Sequence, residues 1–391
     1  MTIRNIVVYS KNLPPDNVGG IETFALNFIR LLSESGHYNI LTITQTKKKL
    51  FFKRRSELPW DNGAAPVLVL KKNELRKGEK LLSTIAGASF KPEETLIFYN
   101  TLDLHERFQE FKELGFRQVA RSGGNDIFFM QRRDGKGGAL LKHLSSLDKL
   151  ILNSDYSRRR AVDIGLPCEQ LQVIKGGCAA GQNGAISRRL LGIDDDCVVL
   201  MTAGRMVDFK GLDDALNAIA LVKENIERFV YLLIGDGELR DQLQRKCETL
   251  GLADCVRFMG IQPPAVVDSF YGVADIYLST SIEIPKQREG FPYIHTETMG
   301  RSICEAQAHG LPVVATRAGG VPEMLVDGET GLLVDAGDSA AIANALERLI
   351  VNAELRAWLG TNAKRFAQAE FSWEAVFAAW EECLAEIDKS G

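Results

Sequence analysis

Short apolar runs rich in β-branched residues recur along this chain, and most neighbouring pairs are separated by a stretch with helical spacing. NIVVYS is followed by a loop and the amphipathic IETFALNFIRLLSES; YNILTIT, APVLVL, ETLIFYN, RQVAR and KLILNS come after it. Strands joined through helices pair in parallel, because only a crossover of that length returns the chain to the same edge. The alternation therefore implies βαβ units and parallel sheets covered by helices. After the Gly-rich, strandless IKGGCAAGQNGAISRRLLGIDDD the pattern restarts with CVVLMTAG, FVYLLIGDG, CVRFMG, DIYLST, LPVVAT and GLLV. The expected fold is thus α/β, two doubly wound parallel-sheet domains with a boundary near 176–188. Such sheets bind ligands outside the carboxyl ends of their strands, so the two are expected to face each other across a cleft.

A length of 391 residues fits two domains of about 150–200 residues each. No apolar run reaches the ~20 residues of a membrane span, and MTIRNIVVYS lacks a charged-then-apolar leader, so a cytoplasmic chain is expected. Seven scattered cysteines without a CxxC pair suggest neither a disulfide framework nor a zinc site. The net charge of −4 hides an asymmetry: residues 1–190 hold 30 Lys+Arg against 19 Asp+Glu, and the rest hold 17 against 32. Much of the basic excess lies in KKKLFFKRR (47–55), followed by Lys71, Lys72, Arg76, Lys77 and Lys80. That segment reads either as a solvated loop or as an anionic-membrane patch, where each basic residue gains about 1 kcal/mol. No nucleic-acid-binding motif accompanies the charge, so nucleic acid is not an expected partner.

The most informative stretch runs from Glu297 through Thr-Met-Gly-Arg-Ser-Ile-Cys to Glu305 and on into AQAHGLPVVAT. ICEAQAH reads as a helix, and PVVAT after the Gly-Leu-Pro turn as a strand. A helix beginning near Gly300 would aim its free amides and its dipole at a site beside Glu297, a ready place for phosphate. Eight helical residues span at most about 12 Å, so carboxylates at 297 and 305 could reach the two ends of a folded nucleotide sugar. In the second element, Ala203-Gly204-Arg205 to Lys210-Gly211, a strand hands over to a helix. Arg205 and Lys210 are placed there to stabilise a diphosphate leaving group in place of a metal. The third element, Gly19-Gly20-Ile21-Glu22, opens the first helix, where paired glycines let a backbone approach a phosphate or sugar.

Together these segments resemble the retaining glycosyltransferases of family four, which have the GT-B architecture of two Rossmann-like domains. The resemblance covers essentially the whole chain and is most specific from Gly204 to Pro322. Its ordered motifs are the GG loop, GRxxxxKG, GDGEL (235–239), Glu-x7-Glu, AxxxGLPVVAT and GGVPEML (319–325). The resemblance implies a nucleotide-sugar donor as substrate, a glycan or lipid-linked glycan acceptor, no cofactor and no metal. It implies that Glu297 touches the transferred sugar, while the amides of Met299, Gly300 and Arg301 touch sugar or diphosphate. Glu305 would bind the ribose, Arg205 and Lys210 the diphosphate, and Gly19 and Gly20 would face the donor from the first domain. Gly235, Gly237 and the strand at Phe258 would border the base. The final helix, within 372–391, would rejoin the first domain, giving domains of 1–178 with that helix and 179–371.

The family's usual first-domain His has no counterpart at the strand end VARSGGND. Arg121, Asn125 and Asp126 are the candidates for the acceptor side there. His105 reads as a solvated helical residue, and Asp194-Asp195-Asp196 as a polar turn before a strand rather than a metal motif. Glu289 begins an overlapping Glu-x7-Glu frame, but only Glu305 precedes Ala-x-Ala-x-Gly-x-Pro, so Glu289 is assigned to a polar PKQREGF loop. An epimerase or phosphorylase would need an acid–base pair or a cofactor lysine, and neither has a signature here. The missing His is the one feature that favours a non-catalytic binding module.

Overall fold

The computed structural model describes residues 2–13, 20–46, 67–71, 79–124, 126–127, 138–179, 184, 186–288 and 291–389. It divides into one unit of Met1–Gly176 with Val376–Gly391 and a second of Gly177–Ala375. The expected limits were 178/179 and 371/372.

The first unit is a seven-stranded sheet of order β3-β2-β1-β4-β5-β6-β7, parallel throughout. Its strands are β1 (Asn5–Ser10), β2 (Asn39–Thr46), β3 (Val67–Lys71), β4 (Thr95–Tyr99), β5 (Arg117–Ser122), β6 (Lys149–Leu152) and β7 (Leu171–Val173). The helices are α1 (Gly20–Ser35), α2 (Glu79–Gly87), α3 (Phe108–Glu113), α4 (Gly138–Leu144) and α5 (Asp155–Asp163). The central strands NIVVYS and TLIFY are buried along their whole length, as strands covered on both faces must be. Tyr9 and Tyr99 pack with Phe108, Phe111 and Leu140 on one face. On the other, Phe28 meets Phe98 with ring centroids 4.7 Å apart, and Trp380 of the last helix closes over both at 4.9 and 5.1 Å.

The second unit is a six-stranded sheet of order β10-β9-β8-β11-β14-β15, again all parallel. Its strands are β8 (Val198–Ala203), β9 (Phe229–Ile234), β10 (Val256–Gly260), β11 (Ile276–Ser279), β14 (Val313–Thr316) and β15 (Gly331–Val334). Six helices follow in order: α6 (Leu212–Asn225), α7 (Arg240–Thr249), α8 (Pro264–Val273), α9 (Arg301–Ala308), α10 (Ser339–Val351) and α11 (Ala353–Phe371). The last, α12 (Trp373–Lys389), begins in the second unit and runs into the first. Alternate residues of each strand enter separate cores. Leu200, Tyr231 and Leu233 pack with Leu216, Ile219 and Leu346, whereas Val199, Met201 and Leu232 pack with Phe270, Ile303 and Cys304. That alternation is the signature of a sheet wound on both faces.

Both sheets reverse their winding at the strand that begins them, β1 against β4 and β8 against β11. The loops after these strands diverge to opposite faces there and leave room for a ligand. One element departs from expectation. PKQREGF is not a plain loop, because Ile284–Arg288 (β12) and Phe291–His295 (β13) pair as an antiparallel hairpin. The sequence signal was weak, but Lys286 and His295 both face the carboxylate of Asp208 and tie the hairpin to the unit.

Candidate functional site

The site grows from the winding reversal of the second sheet. Strand β8 ends at Ala203, and the chain passes Gly204 and Arg205 into a single turn, Asp208–Lys210. Gly211 stops that turn in the left-handed region at φ +59°, where a Cβ would lie 1.9 Å from the carbonyl oxygen of Thr280. The Thr280 hydroxyl donates to the Lys210 carbonyl at 3.0 Å, and the Ile282 amide to the Phe209 carbonyl at 2.8 Å. With its backbone held on both sides, Lys210 turns its ammonium onto Glu297, Nζ to Oε2 at 2.5 Å, with each side chain 18% exposed.

Glu297 sits in the short link between β13 and α9. Its other carboxylate oxygen accepts the Gly300 amide at 3.2 Å, and its carbonyl accepts the Gly320 amide at 2.9 Å. Gly300 is the cap of α9, at φ +89°. Gly319, at φ +55°, has no room for a side chain, since a Cβ there would meet the Glu297 carbonyl at 2.0 Å. The helix ends with an equally local device. Leu311 donates to Ala306 at 3.0 Å and Gly310 to Gln307 at 2.8 Å around a left-handed Gly310, and Pro312 then prevents continuation. The whole of α9 is therefore framed by glycines that the sequence supplies.

Burial disfavours charge on both members of the pair, but each partner outweighs it. Burial pushes the Glu297 carboxyl up, while Lys210 and the Gly300 amide pull it down, leaving it below its ordinary value of 4.5. Burial pushes the Lys210 ammonium down, while Glu297 pulls it up, leaving it above 10.5. Arg205 is exposed, and its charge reaches both groups. Beside this pair lies the amino end of α9, where the Gly300 amide already takes the Glu297 carboxylate and the helix dipole favours an anion.

Further along α9, Glu305 receives Arg301 on Oε1 at 2.8 Å and the Tyr271 hydroxyl on Oε2 at 3.1 Å. Gly235 and Gly237 let the 235–239 loop lie against the start of the 204–210 loop. A Cβ would come within 1.9 Å of the Gly204 carbonyl at the first and 2.3 Å of the Met206 carbonyl at the second. Met206 also donates to the Asp236 carbonyl at 2.9 Å. Phe258 is half-buried on β10, beside the first core of this unit. Arg205, Lys210, Glu297 and the head of α9 thus lie at one sheet edge, with Gly235 and Gly237 against the 204–210 loop and Glu305 one turn along.

Several expectations change. The Gly300 amide is engaged by Glu297 rather than left open, and the Met299 side chain is 3% exposed, part of the second core. Arg301 holds Glu305 as well as heading the helix. His105 is helical, in the short 3-10 helix His105–Arg107, but half-buried rather than solvated, with its Nδ1 3.0 Å from Nδ1 of half-buried His143. The aspartates at 194–196 form an exposed turn in which Asp194 and Asp196 pair with Arg228. In the first unit, Gly20 heads α1, and Arg121 is buried over the Phe24 ring at 4.1 Å. Asp126 is held by the Ser122 hydroxyl and, at 3.1 Å, by the Ile127 amide, with its carboxyl raised by burial. Gly19, Asn125, Glu289 and the basic segment 47–55 lie outside the described residues. Sequence reasoning assigned no role to Tyr271, 34 positions before Glu305, or to Gly319, which it noted only as part of a motif.

Solved structures of the same architecture span nearly the whole chain. The Anabaena HepE structure in complex with UDP-glucose superposes with a TM-score of 0.72 at 21% identity, over 98% of this chain and 99% of that one. WaaG, a glycosyltransferase involved in lipopolysaccharide biosynthesis, gives 0.63 at 16% identity, over 96% and 98%. The two parallel sheets and these neighbours define the GT-B architecture. Residues 185–366, within the second unit, match the family described as glycosyl transferases group 1. The lipopolysaccharide core biosynthesis glycosyltransferase LpsE of Rhizobium meliloti is 32% identical over 246 residues, covering 63% of this chain and 66% of the relative. A D-inositol 3-phosphate glycosyltransferase of Corynebacterium jeikeium is 36% identical over 213 residues, covering 52% and 47%. Each alignment thus takes in less than two thirds of the relative.

Replacing Glu297 by Gln leaves the Lys210 ammonium half-buried without a counter-charge, so stability at pH 7 should fall by about 2–3 kcal/mol. The wild-type carboxyl is depressed, so its contribution is complete above about pH 4.5 and is lost as pH falls through the folded value. Denaturant titrations should therefore show the two proteins furthest apart at neutral pH and converging in acid. Equal stability at pH 7 would contradict the pairing.

Proposed function

We propose that this chain is a retaining, metal-independent hexosyltransferase that moves a sugar from a UDP- or GDP-sugar to a glycan or lipid-linked glycan acceptor. The setting proposed is assembly of a bacterial surface polysaccharide such as lipopolysaccharide O-antigen, capsule or exopolysaccharide. The observation that carries the reading is the Lys210–Glu297 pair at 2.5 Å beside the head of α9. A diphosphate seated at that helix end takes Lys210 and Arg205 as its counter-charges. Glu297, freed from Lys210, then accepts a hydroxyl of the sugar.

As the bond from the anomeric carbon to the diphosphate breaks, charge grows on the leaving oxygen, and cations already in place stabilise it without a metal. The acceptor hydroxyl bonds to the anomeric carbon on the face the diphosphate leaves. Its proton passes to the departing phosphate oxygen, so no strong protein base is required. The products are a glycoside of unchanged anomeric configuration and a nucleoside diphosphate. Glu305 is assigned to the ribose, and Gly235, Gly237 and Phe258 to the side of the base. The UDP and UDP-glucose in the HepE structures support a nucleotide-sugar donor, and the lipopolysaccharide core relative supports the setting.

No helix among the described residues is long and apolar enough to cross a membrane. A peripheral attachment of a cytoplasmic protein through the basic 47–55 segment is proposed instead. Sedimentation with anionic vesicles should carry the protein down at low salt and release it at high salt, where surface attraction is screened. Protein left in the supernatant at low salt would remove this part of the reading.

Turnover of a UDP- or GDP-sugar should persist in EDTA and yield a product with the donor's anomeric configuration. Lys210→Ala should lower kcat by about 10²–10³-fold, the loss seen when one pre-placed charge partner is removed from a transition state. Full activity in that variant, or wild-type activity abolished by EDTA, would contradict the proposal.

A further inference from the structure

The carboxylate of Glu305 carries one protein donor on each oxygen. Arg301 donates to one oxygen at 2.8 Å and Tyr271 to the other at 3.1 Å, while the side chain remains 29% exposed. An ionised carboxyl group offers about four lone-pair positions, two per oxygen. The protein fills one on each, which leaves one acceptor position per oxygen. Two neighbouring acceptors of fixed orientation complement a pair of adjacent hydroxyls, as on an unmodified ribose.

Tyr271 is itself fixed. It is 2% exposed, and its ring stacks on His309 with centroids 5.3 Å apart and planes at 27°. His309 is pinned through Nε2 by Asp268 at 2.7 Å, and the Tyr271 ring also meets that of Tyr277, with centroids 5.8 Å apart. Asp268 and Tyr271 lie three apart on α8, while Glu305 and His309 lie four apart at the end of α9, so each pair shares a helix face. Two side chains of one helix thus grip two of the other, Tyr271 on Glu305 and Asp268 on His309. The Tyr271 hydroxyl lies 3.1 Å from the Glu305 carboxylate and 3.3 Å from the Ser302 carbonyl on the same helix, and burial with the neighbouring carboxylate pushes it well above its ordinary value, so it keeps the proton it donates.

We propose that Tyr271, braced by Asp268 and His309, is the positioning residue that sets Glu305 as a clamp for the ribose 2′,3′-diol, and that it thereby makes the site discriminate against 2′-deoxyribonucleotides. The inference rests on the assignment of Glu305 to the ribose made above. Glu305 touches the ligand; Tyr271 acts through it.

The test is isothermal titration of the full chain with UDP and GDP and with their 2′-deoxy counterparts, read as the ratio of deoxy to ribo Kd. This ratio is insensitive to a general loss of phosphate binding. Wild type should bind the ribo form more tightly, and Tyr271→Phe should reduce the ratio about tenfold, the weight of one hydrogen bond to a charged group. Glu305→Gln should reduce it at least as far. If Glu305→Gln lowers the ratio and Tyr271→Phe does not, Tyr271 has no positioning role and the proposal is overturned. If Glu305→Gln itself leaves the ratio unchanged, the ribose assignment fails instead. Should Tyr271→Phe not fold, Asp268→Asn carries the test. It changes a side chain 34% exposed that reaches Glu305 only through His309 and the Tyr271 ring. A ratio equal to wild type in that variant overturns the proposal, and a reduced one supports it.

Discussion

The contact between Lys210 and Glu297 is the point to which the second unit is built. Its two residues are 87 positions apart and stand on different loops, and the main chain of each is pinned through its carbonyl, Lys210 by the Thr280 hydroxyl and Glu297 by the Gly320 amide. Gly211 lets one loop press on the Thr280 carbonyl, and Gly319 lets another press on that of Glu297. Neither position could carry a side chain without moving an oxygen of the main chain. Taking two charges largely out of water is costly, and it is offset only where partners are fixed and further donors help, as the Gly300 amide does here. A pair arranged in this way is poised to exchange one partner for an incoming anion.

The same corner of the second unit gathers positive charge where the proposed reaction would need it. The sheet reverses its winding between β8 and β11, and the loop after β8 brings Arg205 and Lys210 to that reversal. Helix α9 adds its amino end beside Glu297. Two cations and a helix end supply positive potential that is already in place before bonds change, which is the condition for electrostatic stabilisation of a transition state.

Much of this was legible in the sequence. Alternating β-branched runs and amphipathic stretches indicated the two parallel sheets, and the glycines with Pro312 marked both ends of α9. Glu297, Arg205 and Lys210 stood out because each lies beside a strand end or helix start, and Glu305 because it stands eight residues after Glu297 and directly before Ala-x-Ala-x-Gly-x-Pro. What could not be read was contact across long separations. Tyr271 looks like any buried aromatic on an amphipathic helix, and only the packing of α8 on α9 brings its hydroxyl to Glu305. The β12–β13 hairpin was hidden for a related reason: its own apolar pattern is short, and the contacts of Lys286 and His295 with Asp208 cross a long separation. The Gly300 amide was expected to be open, but a carboxylate three residues earlier could fold back onto it.

The central claim is that a nucleoside diphosphate takes the place of Glu297 beside Lys210 at the head of α9. A crystal structure of the chain with bound UDP or GDP tests it most directly. The account predicts phosphate oxygens at hydrogen-bond distance, about 2.7–3.2 Å, from Lys210 Nζ and from the first amides of α9. A diphosphate bound elsewhere, with the Lys210–Glu297 contact intact, would contradict it.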